Sequence, residues 1–78
     1  MPSLRGVSGA ETIRALERLG FVRVRQRGSH VMLRRSSDQG DVGCVVPLHR
    51  ELAPGTLGGI LRQARITVDE FEAALKAT

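Results

Sequence analysis

Two histidines carry most of the chemical potential of this chain, and the first ends the run Arg25-Gln26-Arg27-Gly28-Ser29-His30. Imidazole is the common side chain that both takes and gives a proton near neutral pH. Set among guanidiniums beside a tight turn, it suits proton transfer on an anion, and nucleic acid is the commonest large anion. Were that anion RNA, it would bring its own nucleophile, the 2′-hydroxyl. Cleavage then needs a base for that proton, a donor for the leaving 5′-oxygen and cations for the charge building on phosphate. His30 fits the base. Arg25 and Arg27 are its neighbours in sequence and clamp phosphate oxygens if the flanking strands form a hairpin. Arg23, Gly28 and Ser29 complete the expected RNA-contacting set. Such a reaction leaves a 2′,3′-cyclic phosphate or its 3′-phosphate. The plainer alternative makes Gly28-Ser29 a hairpin turn and His30 merely the first residue of the next strand.

His49 is the second imidazole. It follows Pro47 in a predicted loop, where it is a candidate second proton-transfer group or else a packing or partner-contact residue. Ser29 is expected to shape the turn, with a phosphate hydrogen bond as the lesser option. No metal is expected. The histidines lie 19 residues apart, without a His-x₃-His pair, a cysteine pair or clustered carboxylates around either.

The charge is lopsided. Residues 1–35 hold eight arginines against Glu11 and Glu17, a formal +6, whereas residues 36–78 hold four basic residues against six acids, a formal −2. Eleven of the twelve basic residues are arginine, whose planar fork matches phosphate. A basic half implies a phosphate-rich or acidic partner, or simply a solvated face. Only two aromatics are present, Phe21 and Phe71. Binding by stacking bases on exposed rings is thereby disfavoured, and contact through backbone phosphates and shape is expected.

The elements that must position these groups follow from pattern. Ser8-Gly9-Ala10-Glu11 has the spacing of a capping box, and Ile13, Leu16 and Leu19 recur on one face, so a helix is predicted from about Gly9 to Leu19 with Gly20 as its stop. Residues 21–26 alternate, with Val22 and Val24 on one face and Arg23 and Arg25 on the other, as in a half-buried strand. Gly28-Ser29 turns the chain into a second strand, residues 30–35. A polar loop over 36–41 leads to a third, residues 42–46, ended by Pro47. Short connections make these an antiparallel meander. Pro54-Gly55-Thr56 opens a second helix with Leu57, Ile60, Leu61 and Ala64 as its apolar stripe. Gly58-Gly59 inside it costs about 1 kcal/mol per glycine, so either its backbone packs tightly there or the segment is loose. Thr67-Val68-Asp69-Glu70 caps a short third helix. The fold class is α+β, in the order α-β-β-β-α with an extra C-terminal helix.

Seventy-eight residues make one domain, 1–78, of marginal core size. Cys44 is the single cysteine, so no disulfide forms within the chain, and in an apolar run it reads as a small buried hydrophobe. No secretory segment or membrane span is evident, and a reducing cytoplasm fits best.

Gly28-Ser29-His30, then Val46-Pro47-Leu48-His49, then Gly55-Thr56-Leu57 followed by Ile60-Leu61-Arg62-Gln63-Ala64, resemble the HicA toxin family over about residues 7–71. That resemblance implies a fold like a double-stranded RNA-binding domain, with helices on one face of a three-stranded sheet. It implies an endoribonuclease, the toxin of a type II toxin–antitoxin pair, that cleaves mRNA without a metal or other cofactor. It also implies that His30 is the active histidine and that a HicB-type antitoxin covers the active surface. Two other readings stand beside it: a non-catalytic RNA-binding module of the same fold, and a protein-interaction domain whose arginines dock an acidic partner.

Overall fold

A computed structural model describes residues 4–77. The elements are α1 (Gly9–Arg18), β1 (Val22–Arg27), β2 (His30–Ser37), β3 (Gly40–Pro47), α2 (Pro54–Ala64) and α3 (Val68–Lys76). The strands form one antiparallel sheet in the order β1-β2-β3. The α+β class and the α-β-β-β-α order with a further C-terminal helix are those expected from the pattern.

Both predicted capping boxes are present. The Ser8 hydroxyl accepts from the Glu11 amide at 3.0 Å, and the Glu11 carboxylate accepts from the Ser8 amide at 2.9 Å. Thr67 and Glu70 repeat the exchange at 3.0 and 2.7 Å. These bonds satisfy backbone donors that a helix start leaves open. Above them, Ile13 and Leu16 of α1 meet Val31 and Leu33 of β2, Val46 of β3, Leu57 and Leu61 of α2 and Phe71 of α3 in one buried cluster. Burial of such side chains contributes roughly 1.5–3 kcal/mol each. The first and last helices are also tied by a polar contact, Arg18 Nη1 donating to the Ala74 carbonyl at 3.0 Å.

Three expectations change in detail. The polar loop over 36–41 contracts to the two-residue turn Asp38-Gln39, because β2 runs on to Ser37 and β3 starts at Gly40. Ser37 Oγ donates to the Gly40 carbonyl at 2.7 Å, and Gly40 takes φ 108°, which a side chain would resist. The edge strand β1 is not half-buried: every one of its residues is exposed. Its alternation is broken by a register shift between Arg23 and Arg25, a bulge at Val24. Finally, α2 is regular through Gly58-Gly59, and tight packing does not explain them. A Cβ on either would find only the Arg62 guanidinium, at 3.7 or 3.8 Å.

Helix α2 ends on Arg65, a non-glycine residue in the left-handed region at φ 57°. Its amide donates to the Arg62 carbonyl at 3.2 Å, and the Ile66 amide donates to that of Leu61 at 3.1 Å. These bonds satisfy carbonyls at the helix end.

Candidate nucleic-acid interface and active site

The Gly28-Ser29 turn fixes the site. Arg27 and His30 are Cα partners across the hairpin, so only two residues reverse the chain. Gly28 takes φ 58° at the first of them while Ser29 does not take a positive φ, the arrangement a type II′ hairpin uses. A Cβ on Gly28 would meet nothing within 4 Å, so its conformation, not space, calls for glycine there. The side chain of Gln26 braces the turn, Nε2 donating to the Gly28 carbonyl at 3.0 Å.

Alternation along β2 sets which way the histidine looks. Val31 and Leu33 are buried on the helix side, so His30, Met32 and Arg34 belong to the opposite, open face. Cross-strand partners share a face. One row of the open face is therefore Arg27 and His30, whose partner on β3, Pro47, is itself buried; the next is Arg25, Met32 and Val45, and the third is Val22, Arg34 and Gly43. The bulge makes this grouping. Unbroken alternation would have kept Arg23 with Arg25; instead Arg23 pairs with buried Leu33 and binds Glu17 of α1 at 3.2 Å on the helix side. Arg25 and Arg27 are delivered to the face of His30, and Arg23 is not.

Other arginines of the basic half serve the fold. Arg35 lies over the Phe21 ring, 4.8 Å from its centroid, and donates to the Leu19 carbonyl at 2.9 Å. Arg18 holds α3. Arg34 was not among the expected contacts, although its position two and four residues beyond Met32 and His30 is a legible period-two signal.

His49 enters from the far side of the turn. The Leu48 amide donates to the Ser29 carbonyl at 2.7 Å, and the Gly9 amide donates to the His49 carbonyl at 2.9 Å. Gly9 rests so closely on this loop that an added Cβ would overlap the Pro47 carbonyl oxygen. The start of α1, the Gly28-Ser29 turn and the loop after β3 thus meet at one end of the sheet, with both histidines exposed there. The turn, Arg25, Arg27 and His30 come together as the sequence suggested, and His49 is joined to them through the backbone of its loop.

Cys44 is buried, and burial pushes its thiol up to about 11, so it is a packing group without thiolate character. Among the described residues, no three His, Cys, Asp or Glu side chains gather into a cluster that could hold a metal ion. No described helix is long and apolar enough to cross a membrane.

Residues 9–66 match the family described as the HicA toxin of bacterial toxin-antitoxin. The chain belongs to the HicA toxin family. The match covers α1, the whole sheet and α2, and so every group of the site just described. No curated protein is similar enough to the chain to count as a match. HicA membership makes the chain one half of a toxin–antitoxin pair, and so implies an antitoxin as its partner.

Proposed function

We propose that this HicA toxin is a metal-independent endoribonuclease that cleaves mRNA in the cytoplasm with His30, and that a HicB-type antitoxin holds it inactive. The observation that carries the reading is the pairing of Arg27 with His30 across a two-residue hairpin, with Arg25 in the next row of the same face. A phosphodiester laid over that end of the sheet meets a base and two guanidiniums at once. His30 takes the 2′-hydroxyl proton, the 2′-oxygen attacks phosphorus, and the bond to the 5′-oxygen breaks. Arg25 and Arg27 offset the charge that develops on the phosphate oxygens. The 2′-hydroxyl serves as nucleophile, so the step calls for no activated water and no metal.

The leaving 5′-oxygen needs a proton, and His49 is the candidate donor, held near the turn by the Leu48–Ser29 and Gly9–His49 backbone bonds. Gly28 and Ser29 supply the turn itself. Arg23, turned to the helix side against Glu17, contributes to the field around RNA rather than to the clamp at His30.

The test is incubation of a long RNA with the purified protein in EDTA, beside His30→Ala. Removal of a general base typically costs about 10²–10⁴ in rate, so the variant should leave the RNA intact on the time scale of wild-type cleavage. Products should end in 2′,3′-cyclic phosphate or 3′-phosphate. Equal cleavage by both proteins, clean 3′-hydroxyl ends, or strict dependence on Mg²⁺ would each remove His30 from the reaction. Steeply salt-dependent RNA binding with no cleavage by either protein would make the chain a binding module.

A further inference from the structure

Cleavage as proposed uses the histidines, Arg25 and Arg27, and leaves the middle of the open face without a role. A groove of about 390 Å³ lies there, lined by Val24, Met32 and Val45, by Arg34 and Gly43, and by Gln63 of α2. Its floor is aliphatic yet open to solvent. Val24, Met32 and Val45 are 48, 40 and 38 % exposed, whereas Val31 and Val46 on the helix side are fully buried. Gly43 has no side chain to fill the groove, and a Cβ there would press on the Leu33 carbonyl at 3.3 Å. The polar groups of the groove are unspent. Among the described residues, neither the Arg34 guanidinium nor the Gln63 side-chain amide has a hydrogen-bond or ion-pair partner. Arg18, Arg23 and Arg35 all have one. Arg34 stands on the face of His30, four residues along β2, which is roughly 13 Å at the rise of a strand.

We propose that this groove is a base-reading subsite of the nuclease. A nucleotide flanking the cleaved bond lays its base on Val24, Met32 and Val45, the Gln63 amide bonds the base edge, and Arg34 holds the phosphate beyond. An amide carries a donor and an acceptor side by side, and base edges mix both kinds. Arg27, Arg25 and Arg34 succeed one another row by row from His30. A strand whose cleaved phosphate rests on the first two therefore meets the third about two nucleotides on. Phe21 and Phe71 are buried and offer no ring for stacking, so discrimination falls to Gln63 while the floor supplies contact without preference. An aliphatic peptide would cover that floor but leave the row of cations unmatched. The inference rests on reading His30 as the cleaving group, and adds to it the choice of position along the message.

The test is limited digestion of a random-sequence RNA in EDTA, with the cut positions read by sequencing. The wild type should prefer one base at a fixed position within two nucleotides of the cut, by about tenfold, as one good pair of edge hydrogen bonds supplies. Gln63→Ala should erase that preference in a protein whose spectrum remains folded. Arg34→Gln should keep the preference and raise KM with little change in kcat. It should also flatten the slope of log affinity against log salt by about 0.7, the share of one phosphate on a single strand. A 2′-O-methyl RNA, which cannot be cleaved, should shift the Gln63 side-chain amide together with Met32 and Val45 in the ¹⁵N spectrum of the wild type. The proposal is overturned by a wild type without preference, by a preference that survives Gln63→Ala, by an unchanged salt slope in Arg34→Gln, or by a Gln63 amide that RNA leaves unmoved. It is equally overturned if an uncharged aliphatic peptide moves these signals and RNA does not. If the wild type cuts no RNA, the nuclease reading falls, and the ¹⁵N titration still decides the subsite.

Discussion

Three helical glycines should answer the same substitution in opposite ways. Gly58 and Gly59 lie within α2, neither takes a positive φ, and a methyl on either would reach only the mobile end of Arg62 at 3.7 or 3.8 Å. Alanine there keeps every packing contact and removes the conformational freedom that glycine gives the unfolded chain. Each replacement should stabilise the fold by about 1 kcal/mol. For a domain of this size that raises the melting temperature by roughly 4–8 °C, and the double variant by about twice as much. Gly9 also lies in a helix, but its methyl would overlap the Pro47 carbonyl oxygen and lie 3.0 Å from the Leu48 Cα. These are backbone atoms, so α1 or the His49 loop must move. Overpacking of this kind typically costs about 1–3 kcal/mol, which outweighs any helix gain at the first position. Thermal melts followed by circular dichroism on the wild type and the four variants measure all of this directly. A lower melting temperature for Gly58→Ala or Gly59→Ala would refute the reasoning, and so would a Gly9→Ala protein as stable as the wild type.

Arg65→Gly should stabilise by about 1 kcal/mol, because glycine occupies the left-handed position at the end of α2 without the Cβ penalty; chemical denaturation reads the difference, and a loss would mean that the Arg65 side chain anchors the turn. Stability should also fall in acid. Hydrogen bonds from the backbone and side chain of Ser8 hold Glu11 below the usual carboxylate range, and those of Thr67 do the same for Glu70. A carboxyl depressed on folding stabilises above its unfolded pKa, and that stabilisation is lost as pH falls through the folded value. Melts from neutral to acid pH should therefore show a smaller decline in the Glu11→Gln, Glu70→Gln double variant than in the wild type, and identical declines would refute the assignment.

The legible parts of the fold were those written in local chemistry. Capping boxes, the Gly28-Ser29 turn and the apolar stripe of α2 all rest on neighbours within four residues, and each stands where the pattern put it. The fate of β1 was not legible. A bulge at a valine has no residue-type signature, unlike one built on glycine, so nothing in Val22-Arg23-Val24 marks the break in alternation. The consequence reaches the site: alternation groups Arg23 with Arg25, and the structure sends them to opposite faces. In the sequence Gly9 marks only the start of a helix, because its contact with the Pro47–His49 loop spans about forty residues. Arg65 ends α2 without the glycine that usually announces such a stop.

The bond between Arg18 and Ala74, with α3 packed on α1, has a meaning in time as well as in space. Every residue of the site lies before position 50, yet the helix that carries Gly9 against the histidine loop is seated partly by α3, which is synthesised after all of them. Chains emerge from the ribosome amino end first. The histidines, arginines and turn are therefore exposed early, on a core that lacks Phe71 and the helix bearing it. The loop that carries His49 therefore reaches its place against Gly9 on a core still completed by a helix that emerges later.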